Sequence, residues 1–484
     1  MRVLALNPPY LPRYSRSQRS PAVTKSGTLY WPMWLAYGAA SLERAGHDVK
    51  LVDAPAAGLD LAVTLELARQ FNPELVVLDT STPSINSDIG VAQALRQEHA
   101  RCHVVMVGTH VTATAEETLT AAPAVDSIAR REYDLTLVEL AAALASGAPL
   151  EGIAGLSYRD RGGTIAHNVD RPYVEDLDAL PLVSPTYHRH LDPRHYFNPN
   201  ALYPMVAIMG SRGCPYHCSF CVYPQTVSGH ALRLRSPQSI AEEFLYVQNN
   251  MPSVKAVFFE DDTFTINKKW CASVAAELVK AGNRLSFTAN ARADVDLETL
   301  RALKAAGCKQ LCVGFESGED GTLKAVEKKI RVERGKEFMQ AARKAGVLVH
   351  GCFIFGNPGE TRQTFESTLD LALQLSPDTA QFYPIMVYPG TTAYRQFEEG
   401  GQFVTHDWDG WLRADGGHAA VVSVDGLSPA DIHRFCDDAR RKFYLRPSYL
   451  LYKARRLLAH PREIRRTVKA MRTFYRHLSA PSQA

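Results

Sequence analysis

A chain of 484 residues is too long for one ordinary core and predicts two large domains with room for a third. Its composition, 46% hydrophobic and 22% charged with Pro and Gly in no low-complexity run, is that of a globular protein and excludes a largely disordered one. No apolar run reaches the roughly 18 residues of a membrane span, the start Met1-Arg2-Val3-Leu4 has no signal-peptide pattern, and a net charge of +3 names no partner. The expected location is therefore the cytoplasm, a reducing compartment where nine cysteines point to metal or redox chemistry rather than to disulfides.

Over residues 1–150, short apolar strands are predicted at Val3 to Leu6, Val49 to Val52, Leu75 to Leu78, Val104 to Val107 and Ser127 to Ala129, with helices between them. This alternation predicts a doubly wound, Rossmann-like α/β domain, which binds ligands beyond the carboxyl ends of its strands. The loops at those ends read Asn7-Pro8-Pro9-Tyr10, Thr80-Ser81-Thr82-Pro83-Ser84, Gly108-Thr109-His110 and Arg130-Arg131-Glu132. Their small hydroxyl residues and glycines suit a ligand with phosphate and amide groups. Residues 151–204 read as a linker containing a hairpin that turns at Gly162-Gly163, followed by a Pro-containing stretch.

A second alternation fills 205–390, with strands at Val206 to Met209, Ala256 to Phe259, Leu285 to Thr288, Leu311 to Val313, Leu348 to Phe355 and Thr379 to Pro384. Six β/α units cannot close an eight-stranded barrel, so a partial (β/α)6 TIM-like barrel is expected, with its site at the carboxyl ends of the strands. The rhythm is lost over 391–484, a C-terminal helical region. Between 440 and 476 it holds thirteen Lys or Arg against one acid, Glu463. The interleaved Tyr444, Leu445, Tyr449, Leu450, Leu451, Leu457, Leu458, Ile464, Val468, Met471 and Phe474 make it amphipathic. Such a segment either lies on an anionic membrane surface or docks on the enzyme with its basic face solvated. No recognition fold for nucleic acid accompanies the charge.

Just after the first barrel strand stands Gly213-Cys214-Pro215-Tyr216-His217-Cys218-Ser219-Phe220-Cys221, a Cys-x3-Cys-x2-Cys spacing. Three thiolates can each take one iron of a cubane and leave the fourth open for chemistry. Structural zinc asks for four ligands, usually from paired Cys-x2-Cys elements, and the chain has no second pair. Cys102, Cys271, Cys308, Cys312, Cys352 and Cys436 read as ordinary buried thiols.

The cysteine motif resembles the signature of the radical S-adenosylmethionine (SAM) superfamily, over residues 205 to about 390. The resemblance implies that Cys214, Cys218 and Cys221 hold a 4Fe-4S cluster, that SAM is bound and reductively cleaved to a 5'-deoxyadenosyl radical, and that a reductant protein such as flavodoxin or ferredoxin serves the cluster. It also implies SAM contacts at the other strand ends: Glu260, Asp261 and Asp262 after the second strand, Asn290 and Arg292 after the third, Glu316 after the fourth, and Gly356 and Pro358 after the fifth. No side chain is assigned a direct catalytic role.

A Rossmann-like domain ahead of such a barrel resembles the cobalamin-binding class of the superfamily. That resemblance implies a cobalamin site at Thr80, Ser81, Gly108 and His110, although the Asp-x-His-x-x-Gly signature is absent and His110 is not placed by motif as a cobalt ligand. Thr80 to Ser84, Pro224 to Pro237, Phe259 to Phe264 and Phe443 to Pro447 are similar to the hopanoid-biosynthesis-associated radical SAM proteins. This similarity implies a hopanoid substrate whose glucosamine ring is contracted to a cyclitol ether, and association with the inner face of the membrane. A cobalamin-dependent methyl transfer to an unactivated carbon is the alternative. Gln225, His230, Arg233 and Arg235, just after the cluster loop, are placed where polar groups could meet an amino-sugar head or SAM.

Overall fold

The computed structural model describes residues 1–160 and 162–459. The first domain is a seven-stranded sheet built from β1 (Arg2–Asn7), β2 (Asp48–Asp53), β3 (Leu75–Thr80), β4 (His103–Gly108), β5 (Ser127–Ala129), β6 (Leu156–Arg159) and β7 (Ile165–His167). The order is β2-β1-β3-β4-β5-β6-β7, parallel through β5 and antiparallel beyond it. Every predicted strand of this domain is present. The hairpin expected in the linker instead adds two edge strands to the sheet. Strand order reverses between β1 and β3, the switch point where sheets of this kind open a crevice.

The second domain carries β8 (Met205–Ile208), β9 (Ser211–Arg212), β10 (Arg233–Leu234), β11 (Ala256–Phe259), β12 (Ser286–Ala291), β13 (Cys308–Glu316), β14 (Leu348–Phe355) and β15 (Thr379–Pro384). Six of these run in parallel in the sequential order β8-β11-β12-β13-β14-β15, and β15 does not pair back to β8, so the barrel is open on one side. The outward faces interlock through aromatics: Phe244, Phe259 and Phe287 on one side, Phe315, Phe353 and Phe382 on the other. The barrel floor is polar. Gln310 Nε2 donates to Asn200 Oδ1 at 2.9 Å, Thr288 Oγ1 to the Asn200 carbonyl at 2.8 Å, and His350 Nδ1 lies 2.8 Å from Thr379 Oγ1. Asn200, from the connecting segment, thereby closes the amino-terminal end.

Helix Met33–Arg44 and the turn before it join the two domains. Trp31 stacks on Tyr196 at 3.9 Å and donates its indole N–H to the Met205 carbonyl at 3.0 Å. A second connection is ionic. Arg212 on β9 donates to both oxygens of Asp134 at 2.7 and 3.1 Å, and Arg233 on β10 donates to both oxygens of Glu132 at 2.7 Å each. All four side chains are buried. The loop after β5 is therefore a latch between domains, and its Arg130 and Arg131 turn away from the strand ends, toward Asp170.

The last described helix, Pro447–Ala459, docks at Asp378 beside the amino-terminal end of β15, the opposite end of the barrel from the cysteine loop. Glu463, Ile464, Val468, Met471 and Phe474 lie outside the described residues. No described helix is long and apolar enough to cross a membrane.

Breaking a buried ion pair from one side strands the remaining charge, at a cost of about 3–5 kcal/mol. Glu132→Gln is therefore expected to lower thermal stability by an amount in that range, read by circular dichroism melting. A loss no larger than that of a surface charge substitution would show that the latch is not needed.

Candidate functional site

The cysteine loop hangs between β9 and β10, which pair antiparallel at Arg212–Arg233 and Ser211–Leu234. Gly213 opens it with φ +86°, and a Cβ there would meet the Ala231 carbonyl oxygen at 2.2 Å, so only glycine allows the two strands of the loop to close. Cys214 N donates to the Gly229 carbonyl at 3.1 Å, and Cys221 N to that of Cys218 at 3.0 Å. Gln225 clamps the loop from within. Its amide nitrogen donates to the carbonyls of Cys218, Ser219 and Cys221, and its oxygen accepts from Thr392 N and Oγ1. His230 bonds the Cys214 carbonyl at 3.0 Å and stacks on His217. Burial raises the Cys221 thiol, and Asp262 and the other two motif cysteines add to the shift. Among the described residues no three His, Cys, Asp or Glu side chains are arranged to hold a single metal ion. A cubane makes a different demand, one thiolate for each of three irons.

Around the loop the strand ends present buried carboxylates. Glu260 Oε2 accepts from Asn290 Nδ2 and Arg19 Nη1, each at 3.3 Å, while Oε1 is buried without a hydrogen-bond partner. Glu316 holds a left-handed backbone, φ +65°, beside an irregularity in the pairing of β13 with β14. Its Oε1 accepts from Lys328 Nζ at 2.7 Å, and its Oε2 is likewise unpartnered. The Lys328 carbonyl takes Arg292 Nη2 at 2.6 Å, and the Arg292 guanidinium lies 3.6 Å from the ring centre of Tyr216 in the cysteine loop. Asn357 Oδ1 is a third buried acceptor left open. Each such atom is a measurable cost unless a ligand with donors meets it.

Two predicted acids have structural duties instead. Asp261 accepts from Gly210 N at 3.1 Å and from the Ser211 hydroxyl, and burial pushes its carboxyl up to about 6. Asp262 accepts from Ser228 Oγ at 2.6 Å. Gly356, φ +96°, donates its N–H to Glu360 at 2.9 Å, as does Asn357; burial pushes Glu360 up to about 7. Pro358 sits on the same turn, half-buried.

Below the acids the inward positions of the barrel are polar. The register aligns Asn290, Cys312, His350 and Thr379 in one row and Gly314, Cys352 and Gln381 in the next. Ordinary barrels fill these layers with bulky aliphatics. Here Cys312, His350, Cys352 and Tyr383 keep partial exposure although they lie deep in the domain. Burial raises the Cys312 thiol and the Tyr383 phenol. Cys312 also feels Cys352 and Glu260, and Tyr383 feels Glu316, Cys352 and Cys221. Cys312 and Cys352, expected to be ordinary core thiols, thus face the interior space beneath the cysteine loop.

A second cavity lies over the strand ends of the first domain, lined by Arg16, Trp34, Asp79, Thr80, Gly108, Thr109 and Tyr133 from that domain and by Tyr223 and Val227 from the segment following Cys221. Asp79 Oδ2 and the Tyr133 hydroxyl are buried there without partners. Gly108, φ +126°, approaches Thr80 so closely that a Cβ would meet its carbonyl oxygen at 2.4 Å. Of the four predicted cobalamin residues, Thr80 and Gly108 line this cavity. Ser81 is turned into a buried network with Tyr14 and Ser84 beside the Arg16–Asp88 ion pair. His110 bonds Thr82 Oγ1 and packs edge-on against Trp408, and burial lowers its imidazole to about 3.

Gln225, His230, Arg233 and Arg235 are likewise not presented to a substrate. The first two fix the cysteine loop, Arg233 pairs with Glu132, and Arg235 pairs with Glu243. Sequence reasoning missed Arg19 and Lys328. Neither belongs to a strand-end motif, and only the folded chain brings them to the acids.

Asp79 gives a pH test. Burial raises its carboxyl from 3.8 to about 7, so the folded state keeps a proton that the unfolded state releases. The stability that proton contributes is complete below about 4 and is lost as pH rises through about 7. Asp79→Asn should therefore gain in melting temperature relative to the parent between those limits, and a difference independent of pH would place this carboxyl in the ordinary range.

Residues 208–372 match the radical SAM superfamily, and residues 19–141 match the B12 binding domain. An uncharacterized methyltransferase of Pyrococcus horikoshii is 32% identical over 426 residues, covering 88% of this chain and 90% of its own. Hopanoid C-3 methylase of Methylococcus capsulatus is 24% identical over 388 residues, covering 78% of this chain and 70% of its own. Among solved structures, the radical SAM methyltransferase TsrM from Kitasatospora setae superposes with a TM-score of 0.68 at 18% identity, covering 90% of this chain and 88% of that one, a likeness of fold. Two adjoining sites on one cysteine-bearing loop, and a relative alike over nearly the whole length, make this chain a member of the radical SAM superfamily, in the class with an amino-terminal B12-binding domain.

Proposed function

We propose that the protein is a cobalamin-dependent radical SAM methyltransferase acting on an unactivated carbon. The observation that carries the reading is the shared loop: it holds Cys214, whose Sγ lies 4.0 Å from Thr263 Oγ1 beyond β11, and also Tyr223 and Val227, two and six residues after Cys221, which wall the cavity of the B12-binding domain. When bound, the 4Fe-4S cluster and SAM supply a 5'-deoxyadenosyl radical, and cobalamin supplies a transferable methyl group. In this reading the three cysteines hold the cluster, held in turn by Gln225, His230 and the Gly213 turn. Glu260, Glu316 and Asn357 orient SAM through their open acceptor atoms, with Asn290, Arg19 and Lys328 fixing the carboxylates. Arg292 presses on the loop through Tyr216, and Asp261 and Glu360 hold the turns that carry Gly210 and Gly356. Asp79, Thr80, Gly108 and Tyr133 would hold cobalamin, whereas His110 is engaged by Thr82 and Trp408. A low-potential flavodoxin or ferredoxin reduces the cluster.

The ring-contraction reading, expected from the hopanoid-associated resemblance, is the second. The polar inward rows favour it, since Cys312, His350, Cys352, Gln381 and Tyr383 suit a hydroxylated head group better than a hydrocarbon skeleton. Either reading takes a hopanoid lipid as substrate class, supported by the likeness to hopanoid C-3 methylase.

Product mass separates the two. Hopanoids from cells with and without the gene should differ by a methyl group, with S-adenosylhomocysteine formed by the purified enzyme; a cyclitol ether lost from the deletion strain with no methylated product missing would replace methyl transfer by ring contraction. Cys218→Ala should abolish both iron-sulfur absorbance and deoxyadenosine formation, and SAM cleavage at the parental rate by this variant would place the cluster elsewhere.

A further inference from the structure

The helix Pro447–Ala459 buries the ring of Tyr449 against Phe443 and Tyr444 and is otherwise held by polar contacts. Tyr449 OH donates to the Asp378 carbonyl at 3.0 Å, Tyr452 OH bonds the Asp378 carboxylate, and Arg456 pairs with that carboxylate at 3.2 Å. Lys453 lies over the ring of Tyr449, and Arg446, just before the helix, donates to Ser376 Oγ at 2.7 Å. The leucines point the other way. Leu450, Leu451 and Leu458 are 46%, 52% and 82% exposed. With Ala454 and Arg455, also exposed, they follow the i, i+1, i+4, i+5, i+8 spacing of one helix face. A surface helix normally buries its apolar stripe and solvates its charges.

We propose that this outward face seats the protein on an anionic lipid bilayer. The charge on this face selects that occupant: Arg455 is exposed beside the leucines, and the sequence that follows the helix, residues 460–484, holds six Lys or Arg against Glu463. A second copy meeting this face across a two-fold axis would bring the same positive side chains together, and the basic tail folded over the leucines would do likewise. A bilayer with anionic headgroups meets both demands, apolar depth for the leucines and negative charge for the basic residues. The helix grips the barrel at Asp378, at its foot. Docking therefore holds the enzyme at a surface without pressing the cysteine loop against it, whatever substrate the loop serves.

The test is co-sedimentation of the full-length, cluster-reconstituted protein with vesicles of phosphatidylcholine alone or mixed with phosphatidylglycerol. Binding is expected only to the mixed vesicles, weakening as salt is added. Leu450→Asp with Leu451→Asp should weaken it at least about tenfold, while Val279→Asp, at a comparably exposed apolar site on another face, should leave it unchanged. Unaltered circular dichroism and iron-sulfur absorbance in both variants separate lost binding from lost fold. The proposal is overturned by no binding to mixed vesicles, by equal binding to phosphatidylcholine alone, or by binding that survives the leucine substitutions and disappears only on truncation after Ala459. A concentration-dependent dimer abolished by those substitutions would overturn it in favour of self-association.

Discussion

Four buried charges set the position of everything that acts in this protein. Arg212 and Arg233 leave the barrel at either end of the cysteine loop and meet Asp134 and Glu132 of the first domain, each as a two-pronged contact. Desolvating two guanidinium groups is unfavourable unless every partner is in place, so the arrangement is a matter of all or none. The loop between them cannot move relative to the B12-binding domain without stranding a charge. Geometry that two separate domains would hold only through a linker is thereby fixed at a segment that faces both.

That constraint explains which parts of the molecule were legible in its sequence. Strands such as Ala256–Phe259 and Leu348–Phe355 are short apolar runs bounded by polar turns, and local pattern is enough to find them. The cysteine triplet announces itself by spacing. The residues that finish the site do not. Arg19 reaches Glu260 from the long segment after β1, Lys328 reaches Glu316 from a turn beyond β13, and Asn200 closes the barrel floor from the connecting segment. Position after a strand identifies a candidate but not its partner, which is why Ser81, His110, Arg130 and Arg131 read as ligand residues and are found engaged by other protein groups, Ser81 and His110 in buried contacts and the two arginines with Asp170. Amphipathic pattern in the last helix likewise leaves open which face is docked; the answer came from Asp378, a residue far away in the chain.

The polar rows inside the barrel carry a physical consequence for substrate choice. An aliphatic lumen would reward burial of a hydrocarbon and penalise hydroxyl groups that found no partner. Here donors and acceptors line the space beneath Glu260 and Glu316, and the hydrogen-bonded layer of Asn200, Thr288 and Gln310 stops it from below. Discrimination then falls on groups able to match those donors and acceptors, where a missing hydrogen bond costs more than a misplaced methylene.

The same latch bears on how the chain is made. The B12-binding domain leaves the ribosome first, and domains of growing chains fold as they emerge. Glu132 and Asp134 then stand without their arginines, and His110 without the Trp408 ring that covers it, until much later segments are synthesised. During that interval the strand ends around Asp79 and Gly108 have no wall from Tyr223 and Val227. The walls of this cavity are complete only once the barrel has been made and the latch has closed.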